Sequence, residues 1–332
     1  MSFNTPIVFF IFKRTEKSVQ IMNQIARVKP RKLYIIADEG RNDEEKKLAA
    51  QCREAVEECV TWDCELIKNY AVENKGCFDR IGLGALWVFS QESQAIFLED
   101  DNFPEETFFP YCEEMLSRYK NDDRVMWVCG TNYLEDYHCE NGASYVFTRH
   151  MHPCGWASWS EKFIKYYDAY FENFTSQNLK KIKSEYTNQK LYKNDLKHWK
   201  IERVNKEKQG RYCSWDYQMC FSLRYFNKVG IVPCKNQIRN IGVDNFSIHG
   251  GSSFDNIMTQ RFCGMDSLPM KFPMIHPEKV EIDDTFEALV DEIVIVPVDY
   301  KRKIKRLIPN LVRLILRVPA GVTTRQFLKI RK

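Results

Sequence analysis

Apolar positions in the first 130 residues fall into two alternating patterns. Short unbroken runs rich in β-branched and aromatic residues, such as "PIVFFIF" (6–12), "LYIIAD" (33–38) and "VMWVCG" (125–130), predict strands buried on both faces. A further strand is predicted near 65–69, and another in "AIFLED". Between the runs, apolar residues recur at three- and four-residue spacing. That pattern predicts helices over 17–28, 43–58, 79–91 and 105–119. Strand and helix alternating in this order predict an α/β domain with a mostly parallel sheet covered by helices.

Beyond Gly130 the pattern loosens into an aromatic-rich stretch holding "HPCGWASW" (152–159). A polar Lys/Asn/Gln-rich segment over 160–208 reads as helical. A further helix is predicted over 214–226, with Ser214 as its N-cap. The remainder reads as irregular up to the tail. No internal repeat, low-complexity segment or linker precedes Pro297.

Charge changes the picture at the C-terminus. Residues 301–332 carry 11 Lys/Arg and no acid, so the first 300 hold 38 bases against 45 acids, a balance of −7. A nucleic-acid-binding body would itself be basic, so no nucleic-acid partner is expected. Ile304, Leu307, Ile308, Leu311, Leu314, Ile315 and Val318 recur at helical spacing between basic residues. That predicts a basic amphipathic segment, kinked at Pro309, suited to an anionic membrane surface. The twelve cysteines form no Cys-x-x-Cys pair, which argues against structural zinc and reads as free thiols in a reducing cytosol. The apolar run at the N-terminus lacks the features of a signal peptide, and no run of about 18 uncharged apolar residues exists to span a membrane.

The chemistry-bearing feature is "FLEDDN". Glu99, Asp100 and Asp101 follow an apolar run directly, at a strand's carboxyl end, where ligands of parallel α/β sheets gather. Three adjacent carboxylates repel one another, and a divalent cation relieves the repulsion. Oxygen ligands suit Mn²⁺ or Mg²⁺, which usually shares its coordination with substrate phosphates. The plainer alternative is that Asp101 or Asn102 caps a helix opened by Pro104-Glu105-Glu106. The chain has neither a Walker loop nor a Gly-x-Gly-x-x-Gly turn. Arg14 and Asp38 end the first two strands, placed to meet a diphosphate and a base or ribose.

"IFKR", "IADEGR", "ENKGCFDRIGLGALWVF", "FLEDD", "HPCGWASW", "CSWDYQM" and "NIGVDNFSIHGG" occur in that order between Pro6 and Ser253. Together they resemble the GT-A glycosyltransferases, in particular bacterial relatives of the N-acetylglucosaminyltransferase that initiates complex N-glycans. The resemblance implies that Asp101 touches a metal, that Glu99 and Asp100 face sugar and ribose, and that Asp38 holds the nucleobase. It places Arg14 at the ribose–diphosphate side. Arg80 stands where the eukaryotic relatives have a His, and Asn74 joins the substrate-facing loop beside Gly76. Gly155-Trp156 resembles the family's Gly-Trp turn at the sugar pocket, with His152 and Trp159 as packing residues.

Inverting transfer needs a carboxylate to accept the acceptor's proton. Asp216 opens a helix, where a carboxylate also suits the helix dipole; the resemblance makes it the base, with Trp215 packed on the donor sugar. The glycine-rich segment after Asp244 reads as a lid, and His249 as a metal or diphosphate ligand. The domain is expected to span 1–298, with a nucleotide-binding half (1–130) and an acceptor half (131–298), followed by the basic tail (299–332). The function implied is metal-dependent transfer from a UDP-sugar to a glycan or lipid-linked acceptor, at the cytoplasmic face of a bacterial membrane. A sugar nucleotidyltransferase of related fold and a silent carbohydrate-binding protein are the alternatives. Removing residues 300–332 should abolish co-sedimentation with anionic vesicles while sparing transfer to a soluble acceptor. Aggregation of the truncated chain would make the segment a docked part of the core instead.

Overall fold

The computed structural model describes residues 3–244 and 253–297. His249 and the tail at 299–332 lie outside the described residues. In the first half the elements are β1 (Ile7–Ile11), α1 (Thr15–Val28), β2 (Lys32–Ala37), α2 (Asp43–Glu58) and β3 (Glu65–Tyr70). A π-helical turn (Phe78–Leu83) then runs into α3 (Gly84–Phe89). β4 (Gln94–Glu99), β5 (Asn102–Pro104), α4 (Phe108–Arg118) and β6 (Val125–Cys129) follow. Asn42 caps α2 by accepting from the Glu45 amide, and three acids in its first turn complement the helix dipole.

The second half is more regular than its sequence pattern suggests. It holds β7 (Tyr145–Thr148), β8 (Trp156–Trp159), α5 (Ser160–Tyr166), α6 (Ser176–Ser184), α7 (Gln189–Gln209) and α8 (Asp216–Tyr225). β9 (Val229–Pro233), β10 (Ile238–Asn240), α9 (Ile257–Cys263) and α10 (Asp284–Val294) occupy the region read as irregular. The polar 160–208 stretch breaks where Asp168 accepts from the amides of Glu172 and Asn173. It restarts at Thr175 and Asn188, whose side chains cap α6 and α7. Ser214 is not the cap of α8: the helix begins two residues later, behind Trp215.

Eight strands form one sheet in the order β3-β2-β1-β4-β8-β6-β9-β7. Only β8 and β7 run against their neighbours, so the sheet is mostly parallel, and helices cover it. This is the α/β architecture expected from the sequence. Alternate residues of each central strand enter opposite cores. Val8, Phe10, Tyr34, Ile36 and Phe97 face one, and Ile7, Phe9, Leu33, Ile35, Ile96 and Leu98 the other. Burial on both faces is why these strands read as unbroken apolar runs.

An aromatic row crosses the sheet on the first of these faces. Phe10 of β1 stacks on Phe97 of β4 (6.0 Å between centroids), Phe97 on Trp156 of β8 (3.8 Å), and Trp156 on Trp127 of β6 (4.3 Å). Trp215, just ahead of α8, leans on Trp156 and Trp127 at 5.5 and 6.0 Å. Stacked pairs add about 0.5–1.5 kcal/mol each beyond the area they bury.

Gly155 leads the chain into β8 with φ +62°, a conformation that side chains disfavour. A Cβ there would sit 2.4 Å from the Ile238 side chain. Gly155→Ala is therefore expected to destabilise by roughly 2–3 kcal/mol in urea denaturation. A cycle with Ile238→Ala should show the two changes costing less together than their sum, by about 1 kcal/mol or more. Strict additivity would mean the contact is not the cause.

Candidate active site

Strand order reverses between β1 and β4, and the crevice outside the carboxyl ends of such a pair is where open α/β sheets bind ligands. Register places Phe10 beside Glu99, so the chain leaving each strand emerges at this crevice. Asp100 closes the junction. Its carboxylate accepts from the Phe12 amide at 3.2 Å and from the Arg14 guanidinium at 2.8 Å. Arg14 also lies 3.4 Å from Asp101, and its Nε lies 3.3 Å from Asp244. Lys17, one turn along α1, pairs with Asp244 as well.

The acidic turn is not a helix cap. Residues 102–104 form β5, and the next helix starts only at Phe108. Asn102 instead clamps the turn, donating to Asp101 at 2.7 Å and accepting from the Gly155 amide at 2.9 Å. β5 pairs with β10, and the chain beyond β10 passes over Asp101, where the Ile241 amide donates to the Asp101 carbonyl at 2.8 Å. The backbone can come this close because residue 242 is glycine: a Cβ there would lie 2.4 Å from the Asp101 carboxylate.

Asp216 reaches the same crevice from 115 positions along the chain, carried by Trp215. Its carboxylate accepts from the Ser214 hydroxyl. Glu202 of α7, buried, holds the approach by accepting from the amides of Cys213 (2.8 Å) and Ser214 (2.9 Å). Burial pushes the Glu99 pKa well above the usual carboxylate range, and the nearby charges of Asp101, Asp100 and Asp216 push it further. No hydrogen bond reaches the Glu99 side chain among the described residues. Asp101 is pushed up to about 6, by burial first and by Asp100 second. Burial alone would lower the Arg14 pKa, but Asp100 and Asp101 outweigh it and hold the guanidinium firmly charged. Arg14 thus stands among Asp100, Asp101 and Asp244, and Lys17 also pairs with Asp244.

Several residues singled out in the sequence stand elsewhere or serve otherwise. Asp38 ends β2 at the crevice, but its oxygens accept from the amides of Glu39, Lys75 and Gly76 and from the Asn74 side chain. Four donors fill the acceptor sites of a carboxylate, which leaves none for a nucleobase in this arrangement. Asn74, in turn, is spent on Asp38 and the Glu39 carbonyl. Arg80 donates to the carbonyl and side chain of Asn69, and burial lowers its pKa. Trp156 and Trp215, expected against the sugar, are 1% and 2% exposed and belong to the aromatic row. Gly155 is required by its φ and by the closeness of Ile238. His152 is buried, as expected of a packing residue, and burial lowers its pKa to about 3.

Sequence reasoning missed Lys17, Glu202, Gly242 and Asp244. Glu202 carried a signal: it shares the buried face of α7 with Leu191 and Trp199, an acid where an apolar residue belongs. Among the described residues no group of three or more His, Cys, Asp or Glu side chains is arranged to hold a metal ion.

No family model matches the chain, and no curated protein matches it. Solved structures do. A UDP-glucose pyrophosphorylase complexed with UDP-glucose is 8% identical at a TM-score of 0.33, over 71% of this chain and 91% of its own. Mouse xyloside xylosyltransferase 1 in its apo form is 8% identical at 0.36, over 68% and 82%. The 4-diphosphocytidyl-2C-methyl-D-erythritol synthase from Anaerococcus prevotii is 11% identical at 0.32, over 51% and 78%. Overlaps this loose say nothing about the chemistry of the crevice.

Proposed function

We propose that this chain is a divalent-cation-dependent glycosyltransferase that moves a sugar from a nucleoside diphosphate to a hydroxyl acceptor. One observation carries the reading: Asp216 is brought to the carboxylates that end β4, at the switch point of the sheet. The donor set there is all oxygen, and Glu99 and Asp101 are held above their ordinary pKa by burial and by neighbouring carboxylates, which suits Mn²⁺ or Mg²⁺. Asp101 would hold the ion, with the remaining places left to the donor's phosphates and to residues such as His249. The ion would supply the positive charge that stabilises the departing diphosphate.

The chain's own residues supply the rest. Arg14 is rigidly held and always charged, and stands at the β1 edge where the diphosphate side of a donor would lie. Glu99, with no hydrogen-bond partner among the described residues, is left for the hydroxyls of the sugar. Asp216 accepts the proton of the attacking hydroxyl, and its fixed approach through Ser214 and Glu202 keeps it aimed at the crevice. A single displacement assisted by one base inverts the anomeric centre. The GT-A resemblance favours a UDP-sugar. The basic tail favours a lipid-linked glycan acceptor at the cytoplasmic face of a membrane; among the described residues no helix is long and apolar enough to cross one.

Asp216→Asn preserves the shape of the side chain and removes its capacity to take a proton. Turnover should fall by about 10²–10⁴ with donor affinity little changed. The product of the parent enzyme should carry the anomeric configuration opposite to the donor's, read by NMR. Retained configuration, or near-normal turnover by the variant, would remove Asp216 from the role.

A further inference from the structure

Away from the crevice, two cysteines 95 positions apart meet sulfur to sulfur. Cys139 Sγ and Cys234 Sγ are 3.1 Å apart, closer than two unbonded sulfurs usually rest, in the one thiol–thiol hydrogen bond among the described residues. Cys139 is half-buried in the loop between β6 and β7, and Cys234 is buried directly after β9.

The backbone holds this contact on both sides. Asp136 and Lys235 form an isolated antiparallel bridge, reinforced by their own ion pair. The Tyr137 amide donates to the Cys234 carbonyl at 2.8 Å, and the Cys234 amide donates to the Ser144 carbonyl at 2.9 Å. Asn132 donates to the same Cys234 carbonyl at 3.0 Å. The entropy of bringing the two residues together is therefore met by folding, and a bond between the sulfurs needs only about 1 Å of approach.

We propose that Cys139 and Cys234 are a reversible disulfide site. Its partner reagent is a low-molecular-weight disulfide such as glutathione disulfide. Cys139, the more accessible thiol, attacks as thiolate and forms a mixed disulfide, releasing one glutathione thiolate. Cys234 then attacks the Cys139 sulfur, gives up its proton, and releases the second glutathione. The balance is two protein thiols and one glutathione disulfide converted to one protein disulfide and two glutathione thiols.

The environment agrees with this order. The hydrogen bond between the two thiols lowers the Cys139 pKa, and that same bond, with burial, raises the pKa of Cys234. Cys139 is the more accessible of the two sulfurs, and the Cys234 thiol also lies 3.3 Å from the Ala143 carbonyl, to which it can donate. Burial pushes the other ten thiols up, which disfavours them as attackers. The bond would tie the β6–β7 loop to the segment running from β9 into β10, and would close a long loop in the unfolded chain. Such a closure should raise the unfolding temperature by several degrees.

The test uses the full chain, equilibrated at stepped ratios of glutathione disulfide to glutathione, quenched in acid, alkylated with N-ethylmaleimide and mapped by peptide mass spectrometry. Cys139 and Cys234 should be the first cysteines to escape alkylation. They should appear as one linked pair lacking two hydrogens, reversed by dithiothreitol. Cys139→Ser, at the half-buried position and so the milder change, should stay fully alkylated at the same ratio; Cys139→Ala should do likewise. The oxidised parent should melt several degrees above its dithiothreitol-treated form, and that difference should vanish in both variants. The proposal fails if another pair links first, or if both sulfurs stay alkylated at the most oxidising ratio. It also fails if Cys139 accumulates as a glutathione adduct beside an alkylated Cys234. None of these outcomes bears on the role of Asp216.

Discussion

Everything at the crevice depends on the row of stacked rings beneath it. Phe10, Phe97, Trp156 and Trp127 come from four adjacent strands, and β8 lies in the row only because it runs antiparallel between β4 and β6. Phe97 stands two residues before Glu99, and Trp156 directly follows Gly155, whose amide bonds Asn102 of the acidic turn. Trp215 leans on the far end of the row, and the next residue is Asp216. The stack therefore joins, through Trp215 and Phe97, chain segments more than 100 residues apart that carry Asp216 and Glu99. Its burial is apolar and non-specific, but flat rings at 3.8–4.3 Å accept little sliding, which fixes strand register at the point where chemistry needs it.

Above that row the structure is electrostatically unresolved. Two like charges about 4 Å apart near a protein surface repel by about 4 kcal/mol, and Glu99, Asp100 and Asp101 are adjacent in the chain with Arg14 paired to two of them. The molecule absorbs part of the repulsion by moving protons: Glu99 and Asp101 both sit above their ordinary pKa. The acidic turn lies at the topological switch point, under a glycine at 242 that lets the chain pass close over Asp101.

Much of the first half was legible because its strands are buried on both faces and its helices carry clean apolar stripes. α2 falls on its expected bounds. The second half hid its strands. β7, β8 and β9 are four or five residues long: β7 is YVFT, β8 sets Ala and Ser between two tryptophans, and β9 carries a glycine and ends in proline, so none shows a clear period. The acidic triplet could be read from the repulsion it implies. Its tie to Asp216 could not, since only tertiary packing makes residues 115 apart neighbours, and the resemblance alone suggested it. Trp156 and Trp215 lie in the aromatic row. An aromatic side chain suits a sugar or a core equally well by composition, and only the strand pairing decides. Asp38 looked like a ligand because a strand-end carboxylate is usually free to accept, whereas here the loop at 74–76 supplies its donors.

The central claim is that the carboxylate cluster at β4 is completed by a divalent cation together with a nucleoside-diphosphate sugar. Thermal unfolding of the full chain with UDP-sugars, with and without Mn²⁺, tests it most directly. The account predicts a stabilisation of several degrees that requires nucleotide and metal together and is lost in Asp101→Ala. A shift of equal size with nucleotide alone, or one that survives Asp101→Ala unchanged, would contradict it.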